Sequence, residues 1–287
     1  METKLPDAFR LGPAALRVAN ADRAIDFYEK KIGLEVLEHG KERLTLGTGN
    51  TPLLYLDIRP GIAPRNYKET GLYHVAILVP DRPSLGAAIA RLAAHDVRLG
   101  AADHLVSEAI YVWDPDNNGI EIYRDRPRGE WTWHGGQVRM GNRPLDFQGL
   151  LAAADAEKLS RAPMKGGTRI GHIHLQVDDL GQAKEFYSDV FGFAPTATLP
   201  GALFMSAGGY HHHLGVNVWE SRNGPPPSPD TAGLSLMTVE LPSAAAIDAL
   251  QTRLEAANIA VRKSGPGFSF ADPWQTPVAV QLRASAR

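Results

Sequence analysis

The sequence predicts an α+β chain of four β-α-β-β-β modules in two tandem domains, with cupped mixed or antiparallel sheets and the helices outside. Three observations predict it. The chain repeats itself, each repeat alternates between two-residue and helical apolar spacing, and one long segment interrupts the series. The repeat can be read directly: Val18-Ala19-Asn20-Ala21-Asp22 leads to Phe27-Tyr28 and Gly33-Leu34, and Val177-Asp178-Asp179 leads after the same interval to Phe186-Tyr187 and Gly192-Phe193. A second pair follows. Val79-Pro80-Asp81, a helical stretch to Ala93 and then Asp114-Pro115 answer Leu241-Pro242-Ser243, a helical stretch to Ala256 and then Asp272-Pro273.

Taken in order, each module opens on a short alternating strand. An amphipathic helix comes next, with Ala24, Phe27, Tyr28 and Ile32 at helical spacing in the first module and Ala183, Phe186, Tyr187 and Val190 in the third. Gly33 and Gly192 are placed to stop these helices. Three strands complete the module. In the second module the last two are 110–113 and 120–123, joined by the turn-forming Asp114-Pro115-Asp116-Asn117-Asn118-Gly119. Residues 127–168 break the pattern with Pro127, Gly129, Gly135, Gly136, Pro144, Pro163, Gly166 and Gly167. They are expected to be a linker between an N-terminal domain, 9–126, and a C-terminal domain, 169–284, with a short helix near 150–159.

Composition narrows the chemistry. The 287 residues are 44% apolar and 22% charged, enough for two domains with proper cores. A formal net charge of −2 without basic runs argues against nucleic acid or an anionic membrane as partner. No leader segment or membrane span is apparent, so the expected location is the cytoplasm. Self-association into a homo-oligomer is left open. The absence of cysteine excludes disulfides, thiolate metal sites and cysteine nucleophiles, so any metal must rest on imidazole and oxygen.

Strand alternation then selects among the ten histidines. In Gly171-His172-Ile173-His174-Leu175-Gln176-Val177, the apolar set Ile173, Leu175 and Val177 packs against the helix, so His172, His174 and Gln176 face the concave side. In Tyr73-His74-Val75-Ala76-Ile77-Leu78-Val79, Val75, Ile77 and Val79 take the packed face and His74 the concave one. Glu121 stands between Ile120 and Ile122 and projects into the same concavity. Two imidazoles and one carboxylate on one side of an ion leave the opposite positions free, which suits ferrous iron, with manganese as the alternative. The bland reading is a hydrogen-bonded strand histidine or a solvated edge glutamate. The first and fourth modules offer no such donors, since Pro13-Ala14-Ala15-Leu16, Gly233-Leu234-Ser235-Leu236-Met237 and Val278-Ala279-Val280-Gln281 stand at the equivalent places. The second and third modules are therefore expected to share one metal cup across the linker.

These residues resemble the vicinal oxygen chelate superfamily of glyoxalases, bleomycin resistance proteins and dioxygenases. Within it they resemble the type I extradiol dioxygenases, the catechol 2,3-dioxygenase group. The likeness spans nearly the whole chain and is most specific from Tyr73-His74-Val75-Ala76 through Asp103-His104 and Ile110-Tyr111 to the 114–121 turn and strand. It implies His74 and Glu121 as iron ligands, Tyr111 as the tyrosine that hydrogen-bonds a substrate hydroxyl, and His104 as a supporting histidine. It also implies a catechol-type aromatic diol and dioxygen as substrates, with oxygen inserted next to the vicinal hydroxyls. In many such enzymes the metal belongs to the third and fourth modules, which is where this chain departs.

The run Tyr210-His211-His212-His213-Leu214-Gly215-Val216 is similar to the strand start that carries the family's acid–base histidine. The family pattern favours His212 in that role, and alternation against Leu214 and Val216 favours His213. Two rival functions share the fold. One is a glyoxalase-like metal-dependent lyase or isomerase, which needs a second carboxylate where Val216-Asn217-Val218-Trp219 stands. The other is a non-catalytic small-molecule-binding protein.

Overall fold

The computed structural model of the protein describes residues 4–154 and 162–283. All four modules have the predicted order. The first runs through strand Ala14–Val18, a helix over 21–32, and strands Glu35–His39, Arg43–Thr48 and Thr51–Ile58. The second comprises Gly71–Leu78, helix Arg82–Ala94, Gly100–Asp103, Ser107–Trp113 and Gly119–Asp125. The third comprises Arg169–Gln176, a helix over 180–191, Ala194–Leu199, Ala202–Ser206 and Leu214–Asn217, and the fourth Gly233–Leu241, helix Ala244–Ala256, Arg262–Ser264, Gly267–Ala271 and Pro277–Leu282.

The repeat has a physical basis at each helix start. Asn20, Asp81, Asp179 and Ser243 each accept the backbone N–H three residues on, at 2.9, 2.9, 2.8 and 3.2 Å, which satisfies one of the amides left free at a helix N-terminus. Gly33 and Gly192 end their helices at φ +96° and +108°, a conformation that costs glycine little. The Phe-Tyr signature and the Asp-Pro turn meet in space. Tyr28 donates to Asp114 at 2.9 Å, and Tyr187 donates to Asp272. Each bond ties the helix of one module to the last turn of the next within the same half of the sequence.

The sheets are assembled differently. The second and third modules form one eight-stranded sheet, in which Gly71–Leu78 pairs antiparallel with Arg169–Gln176 at the centre. The first and fourth modules form the other, with Ala14–Val18 against Gly233–Leu241. Each sheet therefore takes one module from either side of the linker. Convex residues of both sheets and the inner faces of the helices share one apolar core, including Leu16, Tyr28, Val75, Ile77, Leu92, Ile120, Ile173 and Phe191. The linker carries a small hairpin, Trp133–His134 with Gln137–Val138, and a helix at Phe147–Ala153. That helix starts three residues earlier than the expected 150–159, and residues 155–161 lie outside the described ones.

Candidate metal centre

The site is built on the central strands of the sheet made by the second and third modules. Ala76 pairs with His172 on one side and with Glu121 on the other, so its methyl group lies between the two larger side chains. Ile120, Ile122, Val75 and Ile173 point the opposite way into the core. Burying each of these side chains contributes about 1.5–3 kcal/mol, and a one-residue slip would exchange the two faces, so the apolar residues fix which side chains enter the cup.

Within the cup, Glu121 Oε2 lies 2.9 Å from His74 Nε2 and 3.0 Å from His172 Nε2, and the two ring nitrogens are 3.3 Å apart. All three side chains are buried. Metal–ligand bonds of about 2.0–2.2 Å at right angles separate neighbouring donor atoms by roughly 3 Å, so this triangle has the size of one face of an octahedral ion. One carboxylate oxygen cannot balance two imidazole nitrogens that also face each other, whereas a cation can use all three lone pairs. Burial opposes ionisation of Glu121, but His172 and His74 beside it outweigh that and hold the carboxyl well below its usual range. Burial also depresses the His172 imidazole to about 4, against the pull of Glu121. Neutral imidazole is the form that binds metal.

A cavity of about 340 Å³ opens above the triangle. Tyr111 lines it, half-buried beside Glu121, with its hydroxyl raised well above the ordinary range by desolvation and then by that carboxylate. His104 Nε2 meets the Tyr111 hydroxyl at 2.5 Å, and its Nδ1 lies 3.1 Å from the Gly141 carbonyl. Since a carbonyl only accepts, Nδ1 of His104 carries the proton and Nε2 accepts from Tyr111. His174 also faces the cup, where Asn217 donates to its Nε2 at 2.9 Å.

The three adjacent histidines have separate environments. His212 lines the cavity, and its ring lies 4.1 Å, centre to centre, from that of His172. His213 is turned away, against Phe9 at 4.9 Å and Phe193 at 6.5 Å, with its Nδ1 accepting from Ala207 N and burial depressing it to about 3. Alternation favoured His213, but the regular strand begins only at Leu214, so the period does not extend back to it. His211 is fully buried and reaches Asp125 at 2.9 Å.

Other contributors carry no sequence signal. Met140, Gly141 and Asn142 of the linker line the cavity, so the segment between the halves also walls the site. Tyr73 is an extra residue in its strand, opposite the step from His174 to Leu175, and this bulge leaves its ring in the cavity wall rather than the core. A Cβ at Gly171 would stand 1.9 Å from the Tyr123 hydroxyl, so only glycine allows that ring to approach. Trp113 and Trp219, each 48% exposed, stand at the mouth.

A fold of paired β-α-β-β-β modules with a His-Glu-His cluster in one cup defines a class, and comparison with known proteins agrees with it. The family model of the glyoxalase/bleomycin resistance protein/dioxygenase superfamily matches residues 10–122 and 169–277, and the chain belongs to that superfamily. It is 42% identical to a catechol-2,3-dioxygenase of Bacillus subtilis strain 168 over 277 residues, covering 94% of this chain and 96% of that one. Among solved structures, a Bacillus subtilis protein described provisionally as a dioxygenase aligns over 98% of this chain and 86% of its own, at 11% identity and a TM-score of 0.66. Glyoxalase I from Zea mays aligns over 95% and 92%, at 16% identity and a TM-score of 0.56. These two likenesses concern the fold alone.

Proposed function

We propose that this protein is an extradiol dioxygenase that opens the ring of a catechol-type aromatic diol, with one ferrous ion held by His74, Glu121 and His172. The observation that carries the reading is the convergence of those three donors, within 3.3 Å of one another, on the floor of the cavity. The 42% identity to a catechol-2,3-dioxygenase supports it. Two imidazoles and one carboxylate match the donor set that suits ferrous iron and leaves positions open for two reactants. When bound, the ion supplies adjacent positions for the diol oxygens and dioxygen and carries electrons between them.

The chain's own residues do the rest. His212, with its Nε2 free of hydrogen-bond partners among the described residues, accepts a proton from a catechol hydroxyl and later returns it. Burial, and then the neighbouring His172, holds this imidazole well below its usual range, so it meets the substrate in the neutral form that accepts protons. Tyr111, held in place by His104, turns its one hydroxyl proton from His104 Nε2 to the diol oxygen as charge develops there. Leu199, Phe204, Met140 and Trp219 provide an apolar wall for the ring and keep water from the reacting face. Oxygen enters the bond beside the two hydroxylated carbons, and catechol plus dioxygen becomes a ring-opened semialdehyde with no atom lost. Among the described residues Glu121 is the one carboxylate in the cavity wall, and this disfavours a glyoxalase-like site with two.

The test is protein purified anaerobically, loaded with Fe(II) and mixed with catechol and air. Formation of the yellow ring-opened product, with one dioxygen consumed per catechol, is expected. Iron-loaded protein that leaves catechol intact contradicts the proposal.

A further inference from the structure

His212 is linked by hydrogen bonds to groups behind the cup. Its Nδ1 lies 2.7 Å from His211 Nδ1, and His211 Nε2 lies 2.9 Å from Asp125 Oδ1. Tyr210 also donates to that carboxylate oxygen at 3.0 Å, and its hydroxyl is 2.7 Å from that of Tyr123. The Tyr210 and Trp131 rings pack on His211 at 4.0 and 5.2 Å, and His211 has no exposed surface, whereas the Asp125 side chain is 25% exposed. Asp125 stands on the strand of Glu121, two and four residues past Tyr123 and Glu121, so period-2 alternation puts all three on one face.

The hydrogen-bond polarity of this chain follows from what each atom can do. A carboxylate only accepts, so the proton between Asp125 and His211 sits on His211 Nε2. In a neutral imidazole the other nitrogen then has a lone pair, so His211 Nδ1 accepts. The proton of the 2.7 Å contact therefore belongs to His212 Nδ1. A neutral His212 that is protonated at Nδ1 is bare at Nε2, its one remaining nitrogen, beside the cavity.

We infer that His211, anchored by Asp125, is a positioning residue that fixes His212 in the tautomer whose bare Nε2 serves the cup. The inference deepens the ring-cleaving reading and rests on it for its catalytic meaning. The hydrogen-bond chain itself does not depend on the substrate. Without His211, the ring of His212 is free to place its proton on either nitrogen, and the fraction protonated at Nε2 cannot act as the base.

Two measurements test this. Protein labelled with ¹⁵N-histidine and loaded with zinc, a diamagnetic stand-in, reports the tautomer through long-range ¹H–¹⁵N correlations, with His212→Gln assigning the signals. His212 protonated at Nδ1 and bare at Nε2 is expected, with this pattern lost in His211→Phe. A wild-type His212 protonated at Nε2 overturns the inference. In turnover of catechol by the iron-loaded enzyme, His211→Phe should lower kcat about 10-fold or more, with KM and iron content changed by no more than roughly two-fold. His211→Asn, whose side-chain carbonyl can accept from His212 Nδ1, should recover most of that loss. A His211→Phe enzyme with full kcat overturns the inference. If the wild type leaves catechol intact, the ring-cleaving reading fails, and the tautomer measurement still decides the role of His211 and Asp125.

Discussion

The two sheets are built from the same module and differ in what their concave faces carry. In the sheet of the second and third modules, the row through Ala76 reads His172, Ala76, Glu121 and Tyr111. In the sheet of the first and fourth, the matching row through Ala15 reads Leu236, Ala15 and Tyr55. The alanine is kept at the centre, and the two donors beside it are replaced by an alkyl chain and a phenol. The second sheet carries an ion pair and a hydrogen bond around that tyrosine instead. Arg43 pairs with Asp57 at 2.7 Å and stacks over Tyr55 at 5.2 Å, and Ser235 donates to Asp57 at 2.6 Å. The difference teaches that the fold supplies a curved floor, and a few inward positions decide whether it becomes a metal site.

The largest effect should come from breaking this contrast at Glu121. Glu121→Ala leaves two buried imidazoles without their anion and should remove both bound iron and turnover, a loss of about 1000-fold or more measured by metal analysis and product formation. Tyr55→Phe, at the matching place in the other cup, should leave iron content unchanged, and a fall in iron there would erase the distinction between the two faces. Next in size is His212→Gln, expected to lower kcat by about 10²–10⁴-fold with iron retained, as for removal of a general base. Tyr111→Phe should follow with about a 10- to 100-fold loss in kcat/KM, the worth of a hydrogen bond to a developing charge.

The smallest effect is one of stability and should be shared by the two halves. Burial raises both Asp114 and Asp272 to about 6 despite their hydrogen bonds. A carboxyl raised in the folded state favours folding most below its unfolded value near 4, and that contribution is lost as pH rises to about 6. The stability of Asp272→Asn relative to wild type, from denaturant melts, should therefore improve between pH 4 and 6 and level off above. A flat difference would mean that Asp272 ionises normally.

Much of this architecture was legible because its causes are local. Helix caps, the glycines after the helices and the alternation of Ile120-Glu121-Ile122 act within a few residues, and so the modules and the inward set His74, Glu121 and His172 could be read from spacing. The rest depends on contacts distant in sequence. Nothing near Met140, Gly141 and Asn142 announces that the linker folds over the cavity, because the segment lacks periodicity. The bulge at Tyr73 is set by the partner strand. The opposite orientations of His212 and His213 depend on where the strand begins, and the link from His211 to Asp125 spans 86 residues. The pairing of sheets across the linker was readable only indirectly, from modules lacking donors of their own.

The most direct test of a single metal cup shared across the linker is iron stoichiometry in the anaerobic protein and in His172→Ala. One ferrous ion per chain is expected in the wild type, and close to none in the variant, which should also fail to open catechol. Two ions per wild-type chain, or a His172→Ala protein that retains iron and turns over, would contradict the account.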